Sequence, residues 1–465
     1  MQRWHEMKNK IIICFLLVSM LAASCTPATT PAPTATETAT IVPTATSTPT
    51  VMPTPVTYLP GLSVNVPEPD AVFIQQVVNE NYLSVMGLIR DQVALSYHEH
   101  KDGEGMLYLV MLDDATGAPL AVYTEGNWQK STLKFFGRQI GIVMGTDTWH
   151  SEIVTAQEMQ VFKEFDRATI EVGNDWECNE PSQGNYNMDY TQQIERVVKY
   201  LKEAGITEIV AHPLTTAGHA PWIDGSYTKD ELREIMKSRV KFFIDHNPDA
   251  DFIVVVNEPY LWDSRPTDVY FKAWGNSYEY IAEVFQMARD YAKEKTQEIK
   301  LIYNDSDNHY ADGLSSGISR SIVSMLIEKD LIDYVGIQAH IGEWREGAFD
   351  ELMVPQMPAE IEFYKKLGVP VLITELTYQP DSNSYRSDST LAMPPAEFEK
   401  RLSHVFGEIF RIAIESGNVQ GITFWGVTDK SLMGANVNWY MIFDENGQPK
   451  QAYYVVLRTL YEGIK

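Results

Sequence analysis

From about Lys134 to the C-terminus, short β-branched runs alternate with amphipathic helical stretches, and the alternation repeats eight times. The strand candidates are Gln139 to Met144, Ala168 to Gly173, Glu208 to Pro213, Asp251 to Asn257, Lys300 to Asn304, Tyr334 to Ala339, Val369 to Thr374 and Gly421 to Trp425. Between them, Thr191 to Ala204, Lys229 to Asp245, Ser277 to Lys293, Ser316 to Glu328, Ala359 to Leu367 and Glu397 to Ser416 carry apolar residues at helical spacing. Gly205, Gly368 and Gly417 stand where a helix C-terminus needs a left-handed residue. Strands that alternate with helices build a parallel sheet, because parallel neighbours require a crossover. Eight such units in roughly 330 residues have the size and rhythm of a closed (β/α)8 TIM barrel of the α/β class. A doubly wound open sheet would want a glycine-rich phosphate turn after its first strand, and Gly141 and Gly145 do not form one.

The chain of 465 residues is longer than such a barrel. Its start places Lys8 and Lys10 before an apolar run from Ile11 through Leu17 to Ala23, the length of a signal peptide and short for a membrane span. The run ends Leu21-Ala22-Ala23-Ser24-Cys25, which resembles a bacterial lipobox, with Cys25 as the lipidated residue and new N-terminus. Residues 1–25 are therefore read as a lipoprotein signal peptide that anchors the protein on the extracellular face. The alternative is an ordinary secretory signal and a soluble product. Residues 26–57 are almost wholly Thr, Pro, Ala and Ser, a composition that cannot bury enough apolar surface to fold, and are read as a disordered tether. Residues 58–130 form a small accessory region of unassigned role, with an apolar stretch at Ala71 to Val78 and a hairpin from Met106 through Asp113-Asp114-Ala115-Thr116-Gly117 to Val122. Residues 131–465 are assigned to the barrel.

Three cysteines, at 14, 25 and 178, leave Cys178 alone after the leader, so no disulfide framework is available. A formal charge of −26 excludes nucleic acid as a partner, since a polyanion needs a Lys/Arg footprint. His98-Glu99-His100 prompts a metal reading, but the triplet lacks the i, i+4 spacing of a helical zinc pair and is read as a loop or edge strand. Neither a metal nor a cofactor is expected, the membrane is met only through the lipid, and a monomer is expected.

In a (β/α)8 barrel the chemistry lies where strands end. Here the third strand ends near His212, the fourth at Asn257-Glu258, the fifth at Asn304-Asp305, the sixth at Gln338 and His340, the seventh at Glu375, and the eighth at Trp425 and Asp429. Glutamates ending the fourth and seventh strands of a closed ring face each other across its mouth. Two facing carboxylates are the tools of glycoside hydrolysis, one protonated as acid, the other ionised as nucleophile. Glu258 follows the apolar run Val254-Val255-Val256, which suits a carboxyl held protonated, and is assigned as acid/base. Glu375 lies near Gln338 and His340, whose hydrogen bonds would keep it ionised, and is assigned as nucleophile. A retaining mechanism puts their carboxyl groups about 5 to 5.5 Å apart.

At these residues the sequence resembles glycoside hydrolase family 10, the endo-1,4-β-xylanase family with the (β/α)8 fold. The resemblance rests on Glu180-Pro181-Ser182-Gln183-Gly184, Val255-Val256-Asn257-Glu258, Tyr303-Asn304-Asp305, Val335-Gly336-Ile337-Gln338-Ala339-His340, Ile373-Thr374-Glu375-Leu376 and Phe424-Trp425-Gly426-Val427-Thr428-Asp429-Lys430. Ile442-Phe443-Asp444 with Pro449-Lys450-Gln451-Ala452-Tyr453 resembles the family's C-terminal closure. It implies a β-glycan substrate, xylan first, and a substrate-side set of His212, Asn257, Asn304, Gln338, His340 and Trp425. In that set Asn257 bonds the sugar 2-hydroxyl, His212 the neighbouring hydroxyl, His340 and Gln338 surround the nucleophile, and Trp425 forms the floor.

The departures from the family pattern lie on the substrate side. Asp175 stands for the sugar-binding lysine, Thr216-Ala217 for a Trp-His pair unless His219 serves, and Ser431-Leu432-Met433 for the second tryptophan of the aromatic cage. Val254 and Thr377 each stand where the family has Asp. Two other readings follow: a related β-glycosidase acting on a different plant β-glycan, and a non-catalytic surface glycan-binding lipoprotein. The last has no use for an acid and a nucleophile together.

Overall fold

The computed structural model describes residues 95–101, 107–114, 116–148, 156–216, 220–259, 269–306, 308–309, 316–341, 353–378, 395–426, 428–429 and 441–464. The signal peptide with Cys25, the tether, the stretch Ala71 to Val78, and Ala217, His219 and Ser431 to Met433 lie outside them.

Four antiparallel strands come first, β1 (Leu95–Lys101), β2 (Leu107–Asp113), β3 (Pro119–Thr124) and β4 (Asn127–Lys130), paired in sequence order. The hairpin expected about Asp113 to Gly117 is the β2–β3 connection, with Gly117 at φ 69° donating its N–H to the Asp113 carbonyl at 2.7 Å. Eight parallel strands follow: β5 (Val143–Asp147), β6 (Arg167–Ile170), β7 (Glu208–Ala211), β8 (Phe252–Asn257), β9 (Lys300–Asp305), β10 (Tyr334–Ile337), β11 (Val371–Tyr378) and β12 (Val419–Phe424). Each pairs with the next, and β12 pairs with β5, so the sheet closes on itself. Helices α1 (Leu133–Gln139), α2 (Ala156–Phe162), α3 (Gln193–Glu203), α4 (Lys229–His246), α5 (Glu279–Glu294), α6 (Ser316–Glu328), α7 (Met357–Lys366), α8 (Pro395–Ser416) and α9 (Gln451–Glu462) surround the ring.

Strands buried on both faces read as continuous apolar runs rather than alternating ones. Phe252 to Asn257 are all buried. Inside the ring, Val210, Phe252, Val254, Ile302 and Leu372 form their own cluster, and the buried Arg167 guanidinium lies 4.3 Å from the Phe252 ring centroid while pairing with Glu208 at 2.6 Å. A Cβ at Gly421 would stand 2.5 Å from Arg167 Nη1, so a side chain there would push the buried guanidinium aside. The barrel is thus plugged, and a ligand can be met only at the strands' carboxyl ends. Val254 belongs to the plug.

α4 shows why these segments are helical. Thr228 and Glu231 form a reciprocal capping box at its start, and Leu232, Ile235, Met236, Arg239, Val240, Phe243 and Ile244 bury one stripe. Gly205, Gly368 and Gly417 end their helices at φ 91°, 77° and 60°. One expected element moves: Gln139 ends α1 instead of opening the first strand. Thr132 accepts from the Phe135 N–H to cap α1, Gly141 turns the chain at φ 74°, and the strand begins at Val143. The apolar run Ile140 to Met144 is shared between a turn and a strand, which periodicity alone cannot divide.

His100 is taken up in packing. Its ring stacks on Tyr108 at 5.4 Å and its Nε2 lies 2.9 Å from the Tyr461 hydroxyl of α9. Among the described residues no group of three His, Cys, Asp or Glu side chains could hold a metal ion.

Candidate active site

Two strands lose register where chemistry is needed. Ile302 of β9 pairs with Val254 and Tyr303 with Val256, so Val255 is an extra residue in β8 just before Asn257-Glu258. On β11, Ile373 pairs with Ile422 and Leu376 with Phe424, three steps against two, and the bulge holds Thr374 and Glu375. Bulges re-aim side chains at barrel rims. Glu258 adds a left-handed backbone at φ 44°, and Ala339, between Gln338 and His340, another at 62°. Such conformations cost non-glycine residues about 1–2 kcal/mol each and cluster at functional sites.

One chain of side-chain hydrogen bonds joins the two glutamates. Gln338 Nε2 donates to Glu258 Oε1 at 2.7 Å and to Asn257 Oδ1 at 3.2 Å. Asn304 Nδ2 donates to the same Asn257 oxygen at 2.8 Å and to Glu375 Oε1 at 2.6 Å. The far oxygen of Glu375 lies 3.1 Å from His340 Nε2, and His340 Nδ1 lies 2.8 Å from the Thr377 hydroxyl. Because Asn257 Oδ1 accepts twice, its amide orientation is set, with Nδ2 as the donor end. Thr374 fixes Asn304 the same way by donating to its Oδ1 at 2.6 Å. A Cβ at Gly336 would fall 2.2 Å from that oxygen, so only glycine leaves room for the Asn304 amide.

The electrostatics correct the sequence reading. Glu375, 4% exposed, is the carboxyl that burial pushes well above its ordinary range; the charge of Glu171 adds to this and the Asn304 amide opposes it. Glu258 is only partly exposed yet sits at the rim, so the apolar run before it does not bury it as expected. Gln338 does not serve Glu375 through its side chain, which goes to Glu258. Its backbone carbonyl accepts the Glu375 N–H at 3.0 Å. The partners of Glu375 are Asn304, which donates to one oxygen, and His340, whose ring nitrogen meets the other.

Sequence-family and structural comparisons identify the family and the fold that carry these residues. The family model for glycosyl hydrolase family 10 matches residues 130–459. The chain belongs to glycosyl hydrolase family 10. It is 28% identical over 330 residues to endo-1,4-beta-xylanase A of Caldicellulosiruptor saccharolyticus, covering 66% of this chain and 91% of that one. It is 25% identical over 339 residues to endo-1,4-beta-xylanase B of Thermotoga neapolitana, covering 70% and 89%. In structure it is similar to xylanase 10B of Thermotoga petrophila RKU-1, solved in complex with xylobiose, with a TM-score of 0.60, 25% identity, and coverage of 72% of this chain and 99% of that one. The family 10 chain is accordingly a glycoside hydrolase on a (β/α)8 barrel.

His212 and Trp425 are both buried and meet edge to face at 5.2 Å. Thr216 pairs in register with Asn257, which puts it on the rim. Asp175 caps the short helix Trp176–Asn179 by accepting the Glu177 N–H at 2.8 Å. Asp429, counted with the strand-ending candidates, does structural work instead: it accepts the Met441 N–H at 2.7 Å and pairs with Lys450 at 3.0 Å.

One residue, Glu171, escapes the sequence reading, and Asp305, a strand-ending candidate there, is given no role by it. Glu171 follows β6 and acts on Glu375 by its charge. The rule that strand-ending polar residues are site candidates would have found it had the second strand been included. Asp305 is fully buried behind Glu258, accepts from the Tyr303 and Ser319 hydroxyls and the Ser306 N–H, and is pushed up to about 8 chiefly by burial, with the charge of Glu258 adding to it. A groove of about 1050 Å³ between α7 and α8 shares no residue with the site.

Proposed function

We propose that this family 10 chain is a retaining endo-1,4-β-xylanase, with Glu375 as nucleophile and Glu258 as acid/base. The observation that carries the reading is the unbroken amide chain Gln338–Asn257–Asn304, which fixes the two carboxyl groups of opposite strands relative to each other. Glu375 attacks the anomeric carbon while Glu258 gives its proton to the departing oxygen, and the glycosyl-enzyme ester forms. Glu258, now ionised, takes a proton from water; the water oxygen bonds to the same carbon and Glu375 leaves as carboxylate. Two inversions give net retention.

Exposure and hydrogen bonding suit each role, against the upward push that burial gives the Glu375 pKa. A nucleophile must not swing, and Glu375 is buried with a partner on each oxygen. A carboxylate without a water shell has less to lose on attack. An acid that becomes a base must meet water, and Glu258 is partly exposed. Xylan is favoured because the relatives are xylanases. A related β-glycan is the second reading, favoured by Asp175 and Thr216, which change the binding rim around an intact pair. For location, we propose a lipid at Cys25 and a Thr/Pro-rich tether to the membrane; a Cys25→Ser protein that still fractionates with membranes refutes it.

Glu375→Ala and Glu258→Ala are each expected to cut turnover of an aryl β-xyloside and of xylan by orders of magnitude. Azide should rescue Glu375→Ala with an inverted glycosyl azide. Rescue with retained configuration, or full activity in either variant, refutes the roles. A panel of polysaccharides assayed for new reducing ends decides between xylan and another β-glycan.

A further inference from the structure

Beyond the two glutamates, one contact bears on how Glu375 changes its ionisation. The short strand His340–Ile341 pairs in parallel with β11 so that His340 stands opposite Thr377. Thr377 is buried, and its hydroxyl is 2.8 Å from His340 Nδ1, while Nε2 of the same ring is 3.1 Å from Glu375 Oε2. A hydroxyl can donate or accept, whereas a carboxylate at this position could only accept.

We propose that Thr377 is a positioning residue whose hydroxyl lets His340 change tautomer with Glu375, so that the imidazole stays neutral in both states of the nucleophile. With Glu375 protonated, its O–H donates to Nε2 and Nδ1–H donates to the Thr377 oxygen. With Glu375 ionised, one proton has left, Nε2–H donates to the carboxylate, and the Thr377 O–H donates to Nδ1. Each state is fully hydrogen-bonded, which a buried group requires. An aspartate at 377 would instead hold His340 doubly protonated between two carboxylates. Among the described residues, the charged and titratable groups facing this pair include Glu171 at the end of β6, Glu258 through the amide chain, and the buried His309 beside His340.

The inference rests on the nucleophile role proposed for Glu375, and its test has one arm that needs no turnover. Selective ¹⁵N-histidine spectra of the full chain should show His340 as the neutral Nε2–H tautomer above the acid limb of activity. On xylan, Thr377→Val should lower kcat about tenfold with little change in KM, the loss of one hydrogen bond that orients the donor. Thr377→Ser should recover most of that loss. Thr377→Asp should render His340 doubly protonated and move the acid limb of kcat/KM down by about one pH unit or more, because a cation beside Glu375 favours its ionised form. A doubly protonated His340 in the unmodified protein, an unmoved acid limb in Thr377→Asp, or wild-type kcat in Thr377→Val overturns the proposal. If xylan is not cleaved by any form but the tautomer is found and is lost in Thr377→Val, the role of Thr377 stands and the substrate reading fails.

Discussion

Asn304→Ala removes the side chain on which the geometry of the pair most depends. Asn304 is fully buried, donates to Glu375 Oε1 at 2.6 Å and to Asn257 Oδ1 at 2.8 Å, and accepts from Thr374. After truncation Asn257 keeps its bond from Gln338, and the Thr374 hydroxyl can rotate. Glu375 Oε1 has no such recourse. A hydrogen bond to a charged group contributes about 1.5–3 kcal/mol, so kcat/KM on xylan should fall about 10- to 150-fold. The pH profile supplies a second readout. Asn304 pulls the Glu375 pKa down against burial; without it the carboxyl rises further. A nucleophile must be ionised, so the acid limb of kcat/KM moves to higher pH. Asn304→Asp keeps the shape, but when ionised it cannot donate and sets a second negative charge beside the first, so it should be worse than alanine. Steady-state kinetics across pH on all three proteins, with thermal melts to confirm folding, makes the test. An unmoved acid limb in Asn304→Ala, or near-wild-type turnover in Asn304→Asp, refutes the reasoning.

Arg239→Met should cost about 3–5 kcal/mol in chemical denaturation, because the buried guanidinium serves the Leu214, Asn174 and Pro213 carbonyls and Asn179 Oδ1, acceptors that methionine leaves unpaired; an unchanged midpoint would show the acceptors are satisfied some other way. Glu164 is buried, accepts from the Leu133 N–H at 3.1 Å and the Tyr453 hydroxyl at 2.9 Å, and burial raises its pKa. A carboxyl that holds its proton longer when folded loses stabilisation as pH rises from the ordinary carboxyl range through the raised value. Glu164→Gln should therefore melt close to the parent near about pH 4 and progressively above it as pH rises through the raised value. A gap that shrinks with rising pH contradicts this.

The barrel was legible because strands buried on both faces and helices buried on one leave different periods in the sequence, and eight repeats average out local ambiguity. Boundaries were less so: Gln139 passed for strand because Phe135-Phe136 and Ile140 to Met144 form one apolar stretch divided only by the cap at Thr132 and the turn at Gly141. Glu258, Glu375, Asn304 and His340 could be found as strand-ending polar residues. Which donor serves which carboxylate could not, since it depends on two bulges and two left-handed residues that leave no periodic trace. The assignment of Gln338 to Glu375, and of the buried carboxyl to Glu258, went astray for that reason. The Glu375 pKa is raised by burial and by the charge of Glu171, remote in sequence, and the three valines before Glu258 leave that glutamate partly exposed.

The accessory sheet bears on where the molecule can be cut. Tyr108, Val110, Leu112, Leu120 and Val122 belong to the same apolar cluster as Leu133, Phe136, Leu457 and Tyr461, although the family match begins only at residue 130. A fragment trimmed to that match would bare the flanks of α1 and α9 to water and leave an adhesive wall on the catalyst. The family match begins at residue 130, and the apolar core begins before it.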